Sequence, residues 1–406
     1  MLLLKLAWRN IWRNGRRTTI TVLALAMGVT AIVSIHSFRV VATDEMIRSL
    51  TRGMVGHLQI HGLGYQETPD MGNVVPEAGA IESKVLQTLP GVQVEKRVIG
   101  AGLGGSGNAA SAVMVMGIDP ENQNSRDLFV IEKGRALGAA QAREAMVGNG
   151  LAEQLNLSPG SELVLVGQAA DGSLANDRFT VVGTGDVGSY EANATTVVLP
   201  LKEAQSFFAL DQGVHQIIIR LPKDDENLAP VVANVRNALN ADKLEVLSWT
   251  EILPELKSAI DAKAKNQRMV DFIVFLIVSL GVLNTMTMST FERTREFGVM
   301  ASLGTRRGRI LTMVVLEVLL LGLVGFLIGL AASFAILHGI STWDFSSLGK
   351  GMDMMGARMP KLVELRLHWG SVAGAGLTTL LTMLAGGLIP AIRASRLQPV
   401  DATRYV

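Results

Sequence analysis

Four long apolar runs divide the chain, and each is long enough to cross a membrane. About 20 apolar residues in a helix span a bilayer core, and irregular backbone cannot face lipid. The sequence therefore predicts transmembrane helices over residues 18–41, 272–291, 310–337 and 369–392. The first run is too long for a signal-peptide core and is followed by no small-residue cleavage site. We expect it to be an uncleaved signal anchor.

The long segment between the first two runs has the alternation and turns of a soluble α+β domain. Strands are expected over 56–61, 92–99 and 111–117, with a helix over 80–89. Near its far end the order recurs, as a strand over 215–221, a helix over 228–240 and a strand over 243–247. The predicted fold is therefore an α-helical membrane protein with four transmembrane helices plus an α+β domain. That domain is a split α/β subdomain with a β-rich subdomain inserted at about 120–212.

Both ends of this soluble domain are predicted to run as helix toward the membrane. Residues 43–52 continue the first apolar run with an apolar face. Ser248 and Glu251 match a capping box, followed by apolar residues at helical spacing, with Pro254 near the start. Stalk helices over 43–52 and 250–271 would act as levers between the two parts.

The basic residues give the expected orientation, because Lys and Arg accumulate in cytoplasmic flanks. Residues 1–17 carry five basic and no acidic residues, and the loop 292–309 carries five arginines against two acids. Three more arginines follow the last run, in the tail 393–406. Both termini and 292–309 are thus expected in the cytoplasm, with 42–271 and the loop 338–368 exported. The net charge of +1 gives no indication of a nucleic-acid partner.

Several candidate sites receive a structural interpretation. The chain has no cysteine, and His57 and His61, four apart on a strand, lie about 13 Å apart, too far to share one metal ion with His215. The glycines in the pattern G-x-G-x-x-G at 102–107 are followed by a strand-like run instead of a helix, so we expect a turn and not a dinucleotide site. No P-loop pattern G-x-x-x-x-G-K-[ST] occurs.

The apolar runs contain a few ionisable residues and closely spaced glycines. Glu317 is expected to pair or to reach the cytoplasmic interface, with a proton relay as the alternative. Gly322, Gly325 and Gly329 are expected to pack against neighbouring helices. His36 and Arg39 lie where the first run ends. They are interpreted as interfacial anchors, or alternatively as contacts for an amphiphile's head group at the exported mouth.

The loop 291–317 is the most informative stretch. It predicts a short basic helix in which Phe297, Val299, Met300 and Leu303 form an apolar strip and Gly304 ends the helix. Such a helix could lie on anionic lipid head groups. Alternatively, it could dock into a partner's cleft, with Arg295 and Glu296 pairing across the interface.

The sequence RTREFGVMASLG at 293–304 resembles the cytoplasmic signature of the FtsX/MacB/LolC-type permeases of ABC transporters, roughly R-x-R-E-I-G-x-x-R-A-L-G-A. The chain departs from it at Phe297 and at Ala301-Ser302. LAWRNIWRNGRR at 6–17 and PAIRASRLQPVDA at 390–402 resemble the family's amphipathic N-terminal helix and closing motif. Three motifs in order extend the resemblance over essentially the whole chain.

The resemblance implies a non-catalytic permease of a Gram-negative inner membrane. A separate ATPase dimer would bind ATP and magnesium, leaving this chain without a cofactor or metal, and a second permease copy or paralogue would complete the assembly. The exported domain would be a porter-like unit with a sabre-like insert, and the first two spans would line the dimer interface. The coupling helix that docks on the ATPase would use these residues: Arg293, Arg295, Glu296, Phe297, Gly298, Leu303 and Gly304.

The implied function is mechanotransmission from the ATPase to exported domains that move or extract a lipidated or amphipathic cargo, such as a lipoprotein, peptide or antibiotic. A periplasmic adaptor, chaperone or outer-membrane protein would be a compatible partner. The alternative is an FtsX-like transmitter that moves no cargo and activates a periplasmic partner. The large exported segment favours transport, and the apolar runs contain no pair of catalytic groups that would indicate an intramembrane enzyme.

Overall fold

The computed structural model describes residues 2–138, 143–188, 190–222, 227–239, 243–341 and 367–396. The helices are α1 (Leu2–Ile11), α2 (Gly15–Arg52), α3 (Ala78–Thr88), α4 (Gln123–Asp127), α5 (Asn149–Gln154), α6 (Tyr190–Thr195), α7 (Leu201–Phe207), α8 (Ala229–Leu239), α9 (Trp249–Ile252), α10 (Pro254–Glu292), α11 (Thr294–Ser302), α12 (Arg307–Ser341) and α13 (Trp369–Ser395). The strands are β1 (Leu58–Gly62), β2 (Gln93–Ser106), β3 (Ala109–Ile118), β4 (Val130–Gly134), β5 (Glu144–Gly148), β6 (Glu162–Gln168), β7 (Leu174–Asp186), β8 (Thr196–Pro200), β9 (Gln216–Arg220) and β10 (Leu244–Ser248).

Within these described ranges the chain forms two compact units. Of the described residues, the membrane unit contains those within 2–43, 259–341 and 367–396, and the exported unit contains those within 44–258. Four helices, α2, α10, α12 and α13, are long and apolar enough to cross a membrane, and they contain the four predicted runs. The exported unit is rich in β-structure. The predicted fold class is therefore confirmed.

Side chains from all four long helices form one apolar cluster in the membrane unit. Val22, Val282, Leu321 and Met383 are among its buried members. Three glycines of α12 allow the close approach of helices that the sequence predicted. A Cβ at Gly322 would meet Met383 of α13, and Cβ atoms at Gly325 and Gly329 would lie 2.7 Å from atoms of α2.

The exported unit contains a four-stranded sheet in the order β10-β1-β9-β2. In both β1-α3-β2 and β9-α8-β10 a helix connects two strands of this sheet, as predicted from the repeated order. The helices α3 and α8 contact each other, and apolar side chains from the sheet and both helices share one core, including Ile60, Val85, Ile217 and Val235.

The inserted part is a closed six-stranded barrel. β2 pairs with β3 and β6, β6 pairs with β7, β7 with β5, β5 with β8, and β8 returns to β3. The predicted start of the insert, at about 120, is therefore too late. Gly102–Gly105 of β2 already pair with β6, so β2 belongs to both the four-stranded sheet and the barrel, and β3 belongs to the barrel. The boundary was missed because β2 runs through it without a turn.

The glycine pattern at 102–107 also differs from its prediction as a turn. Gly102 and Gly104 lie within β2, and only Gly107 lies in the turn that follows, with φ of +56°. A Cβ at Gly102 would lie 2.6 Å from the carbonyl oxygen of Val166 on β6. The glycine therefore permits the close approach of two barrel strands.

The Ser248–Glu251 motif caps a shorter helix than predicted. The Glu251 carboxylate accepts a hydrogen bond of 2.8 Å from the Ser248 backbone N–H, but α9 ends after four residues, at Ile252. The backbone leaves helical geometry at Leu253, with φ of −121° and ψ of 63°, and Pro254 begins α10. The break has a local cause, because the residue before a proline is disfavoured in the α region.

The histidines His57, His61 and His215 are structural, as predicted. The His57 ring accepts a hydrogen bond from the Leu221 backbone N–H, and the His215 ring accepts one from that of Ile99. His61 is fully buried, with its Nε2 2.6 Å from the Gln59 side-chain oxygen. Burial, and secondarily the neighbouring His215, lowers the pKa of His61 to about 4.

This pKa predicts that the exported unit loses stability in acid. The unfolded state takes up a proton at His61 near pH 6.5, whereas the folded state does so only near pH 4. Stability is therefore fully present above pH 6.5 and falls by about 3 kcal/mol as the pH decreases to about 4. His61→Gln should flatten this dependence in thermal melts of the full chain between pH 7.5 and 4.5. An equally steep loss in the variant would show that His61 is not responsible.

Candidate functional site

The segment that connects α10 to α12 folds as the short helix α11. Arg293 precedes it with non-helical φ and ψ of −105° and 12°. At the other end, Gly304 has φ of +82°. The Gly304 N–H donates to the Ala301 carbonyl and the Thr305 N–H donates to the Met300 carbonyl, which together form a Schellman motif. Gly304 thus ends the helix, as its position in the sequence predicted.

One side of α11 packs into the membrane unit. Phe297 is 1% exposed and contacts a cluster that includes Ile310 and Met313 of α12 and Ala391 of α13. Gly298 is buried beside it. The predicted apolar strip of Phe297, Val299, Met300 and Leu303 is wrong, since Val299 and Leu303 are exposed. At 100° per residue, Phe297 and Val299 point in opposite directions.

A buried ion pair fixes the beginning of α11 to α12. The Arg293 Nη1 lies 2.7 Å from a carboxylate oxygen of Glu317, and both side chains are less than a tenth exposed. The Arg293 guanidinium also lies 5.1 Å from the centre of the Phe297 ring and 3.2 Å from the Glu296 carboxylate. The predicted pairing of Glu317 is thus confirmed, and its position near the cytoplasmic interface stays a prediction.

Two further ion pairs connect the N-terminal region to this segment. Arg13 lies 2.5 Å from Glu296, and Arg17 forms a two-pronged pair with Glu292 at 2.7 and 2.9 Å. Sequence reasoning missed Arg13, Arg17 and Glu292 as site residues. One signal was present in the spacing, because the two arginines and the two glutamates are each four residues apart, although a break in the helix separates the members of each pair.

The outward side of α11 has a different character. Arg295, Val299 and Leu303 recur at four-residue spacing and are exposed, with Leu303 80% exposed. The loop and first turn that follow add three exposed arginines: Arg306, Arg307 and Arg309. We call Arg295, Val299, Leu303 and these three arginines the outward face. The seven residues predicted for the coupling helix thus fall into three groups. Arg293, Phe297 and Gly298 are buried, and Glu296 forms ion pairs. Arg295, Leu303 and Gly304 are exposed.

The residues predicted for the exported mouth are partly engaged within the membrane unit. The Nδ1 of His36 lies 2.6 Å from the Ser371 hydroxyl of α13. Arg39 is partly exposed, and its Nε has no hydrogen-bond partner among the described residues. His36 therefore connects α2 to α13, whereas anchoring of His36 and Arg39 at the membrane interface stays a prediction. Contact of either residue with an amphiphile's head group stays a prediction.

Comparison with known proteins identifies the family to which this architecture belongs. The family model described as the MacB-like periplasmic core domain matches residues 18–238, and that of the FtsX-like permease C-terminal matches residues 269–399. The chain belongs to the MacB/FtsX/LolC-type family of ABC transporter permeases. It is accordingly an inner-membrane protein with a periplasmic domain.

Individual relatives agree with this assignment. The chain is 22% identical to the lipoprotein-releasing system transmembrane protein LolC of Neisseria meningitidis over 97% of this chain and 96% of LolC. It is 25% identical to the pyoverdine export ATP-binding/permease protein PvdT of Pseudomonas syringae, over 98% of this chain and 58% of PvdT. A 136-residue stretch is 34% identical to the ABC transporter permease YknZ of Bacillus subtilis and spans 33% of this chain and 29% of YknZ. The chain thus spans less than two thirds of PvdT and YknZ.

Proposed function

We propose that this permease transmits ATP binding and hydrolysis on a separate ATPase subunit to its periplasmic domain, which moves or extracts a lipidated or amphipathic cargo. The outward face is the observation that carries the proposal. It presents two exposed apolar side chains, Val299 and Leu303, beside four exposed arginines. Such a surface fits an apolar cleft with an acidic rim on a partner protein.

The inward contacts of α11 make it suitable for transmission. Phe297 and the Arg293–Glu317 pair fix the helix to α12, while Glu296 connects it to Arg13. A displacement of α11 by a docked partner would therefore be passed to α12 and, through Arg13, to the segment that precedes α2. A helix that lay freely on lipid head groups would need none of these contacts, so the docking interpretation is favoured.

The ATP-hydrolysing partner is proposed as a separate chain, because this chain aligns with 96% of LolC, which is named as the transmembrane protein of its system. Two relatives point to cargo classes through their names: LolC, from a lipoprotein-releasing system, and PvdT, from pyoverdine export. The family resemblance and the lipoprotein-releasing relative support an amphipathic or lipidated cargo. We place both termini in the cytoplasm on the distribution of arginines.

A second permease copy or paralogue is proposed along α2 and α10. In α10, only 11% of the apolar stretch that could cross the membrane is buried within the chain, against 44% of the corresponding stretch in α12. Phe272, Leu276 and Leu280 are among its exposed apolar side chains. A partner helix would cover this face in the assembled transporter.

The docking proposal is tested with Leu303→Asp. A charge in the middle of the outward face should reduce ATPase stimulation about tenfold or more, since the loss of one interface anchor commonly costs over 1 kcal/mol. The full chain is purified from membranes with its co-purifying ATPase, and hydrolysis is measured together with the amount of ATPase retained.

The control is Leu63→Asp, which changes an exposed leucine of the exported unit and should leave hydrolysis unchanged. Charge reversal at Glu296 or a bulky residue at Gly298 would be less informative, because both residues also support α11 internally. Normal ATPase retention and stimulation in Leu303→Asp would contradict docking at this face.

A further inference from the structure

The four-stranded sheet of the exported unit has a second buried face that is polar. Its first face carries the apolar core under α3 and α8. The alternate residues of the same strands carry charges, and Glu95, Arg97 and Arg220 are each no more than 3% exposed. A half-exposed sheet would present such residues to solvent. Their burial therefore requires partners on this face.

The partners are the carbonyl group of the last residue of α2, Arg52, and those of the two residues that follow it. The Arg220 Nε and Nη2 donate to the carbonyl oxygens of Arg52 and Gly53, at 2.9 and 2.6 Å. The Arg97 Nη1 donates to that of Met54 at 2.7 Å. Three successive carbonyl groups at the end of α2 thus each accept a hydrogen bond from an arginine.

One carboxylate joins the two arginines. Glu95 lies 2.7 Å from Arg97 through one carboxylate oxygen and 2.7 Å from Arg220 through the other. Burial alone would raise the pKa of Glu95, but the two guanidinium groups outweigh it and lower the pKa. The group therefore holds two positive charges and one negative charge in a buried place.

The excess positive charge matches what it touches. The C-terminal end of a helix carries roughly half a negative charge, and cations there are stabilising. Charged donors to carbonyl oxygens are also stronger than neutral ones. Residues that served only to stabilise the sheet would not need an excess charge. They would also not need to donate to three consecutive carbonyl groups at and just after the end of α2.

The beginning of the second long helix, α10, differs from the end of α2. Between α9 and α10 the backbone departs from helical geometry at Leu253, and Pro254 lacks the N–H that would continue the hydrogen-bond ladder. The chain therefore has one helix end that is tightly fixed and one that is interrupted.

We propose that Arg97 and Arg220, joined by Glu95, are positioning residues that fix the direction of α2 relative to the exported sheet. This set is called the arginine clamp. The inference rests on the proposed function in one respect: through the clamp, a displacement of α2 by the ATPase would turn the exported domain instead of being lost at a loose joint.

The test measures the clamp directly, by distances between spin labels. The chain has no native cysteine, so cysteines at exposed Asp44 on α2 and exposed Leu174 on the barrel can be labelled in the full-length protein. Arg220→Lys retains the charge beside Glu95, but an ammonium group cannot reproduce the planar fork that holds two carbonyl groups. The distance distribution should broaden about twofold as this anchoring is lost.

A second variant and a control separate the clamp from general damage. The double variant Glu95→Gln with Arg97→Met removes both charges of this ion pair, and the new side chains are close in shape to the native ones. It should broaden the distribution even if the melting temperature falls. Arg236→Lys changes an arginine of the same unit that holds the Val246 carbonyl, and it should leave the distribution narrow.

In the complex with its co-purified ATPase, labels at exposed Leu323 on α12 and exposed Leu174 on the barrel report transmission, because an intact clamp keeps the distance from Asp44 to Leu174 constant. With ATP bound and hydrolysis blocked, the unmodified protein should show a shifted distance, and Arg220→Lys should reduce the shift. Variants that melt earlier but retain a narrow distribution and the full shift would overturn the proposal. If the unmodified protein shows no ATP-driven shift, the proposed function is contradicted. The widths of the distance distributions measured without the ATPase still show whether the clamp holds α2 in place.

Discussion

Arg293→Met should destabilise the membrane unit more than other single substitutions in the coupling segment. Its guanidinium neutralises Glu317 at 2.7 Å in a buried place, and its removal leaves an uncompensated carboxylate. Breaking a buried pair from one side costs about 3–5 kcal/mol. We expect a marked decrease of the melting temperature of the full chain in detergent and a low yield from membranes. The melting temperature is measured by size-exclusion chromatography of samples heated to increasing temperatures.

The double variant Arg293→Met with Glu317→Met is the informative control. If uncompensated charge is the cause, replacing both partners by apolar side chains should recover most of the lost stability, because such exchanges of buried pairs are often nearly neutral. Arg295→Met, on the exposed side of the same helix, should leave the melting temperature unchanged. A double variant as unstable as Arg293→Met would show instead that the hydrogen-bond geometry of Arg293 is essential.

Gly329→Leu should separate two helices of the membrane unit. A Cβ at this position would lie 2.7 Å from both the Ala26 carbonyl oxygen and the Val29 Cβ of α2. Backbone cannot move aside as a flexible side chain can, so α12 and α2 must shift, at a cost of about 1–3 kcal/mol or more. The Thr30 hydroxyl, which donates to the Gly329 carbonyl, would lose this bond as well.

Gly339→Leu is the matched control, since it lies on the same helix and a Cβ there would meet nothing within 4 Å. The two leucine variants add the same apolar side chain to α12, so any difference in melting temperature reports packing against α2. Equal melting temperatures would show that this helix contact does not support the bundle.

The membrane-spanning segments and the strands outside the predicted insert could be predicted from the sequence because their signals are local; these strands are β1, β2, β3, β9 and β10. Long apolar runs can only be helices in lipid, and the order strand-helix-strand is read from alternation and turns. The helix end at Gly304 could be predicted because glycine permits the left-handed conformation. The pairing of Glu317 could be predicted because a buried charge without a partner is costly.

What the sequence did not show depends on contacts between distant residues. The alternation of His57, Gln59 and His61 reads as a strand with one solvent face, yet that face is buried. Glu95, Arg97 and Arg220 give no local signal of a common partner, since they meet only when β2 and β9 pair. The barrel boundary was hidden for the same reason, because closure is decided by β6 returning to β2.

The length of β2 has a further consequence. Its 14 residues extend about 45 Å, from the neighbourhood of the arginine clamp at Glu95 and Arg97 to the barrel rim beyond Gly105. β2 is paired along its whole length, with β9 at 93–97, with β3 at 97–106 and with β6 at 102–105, so no unpaired linker separates the two subdomains along this path. The barrel is thus an arm of the four-stranded sheet, and a small rotation at the clamp would be enlarged into a wider sweep at the distal turn that follows β2.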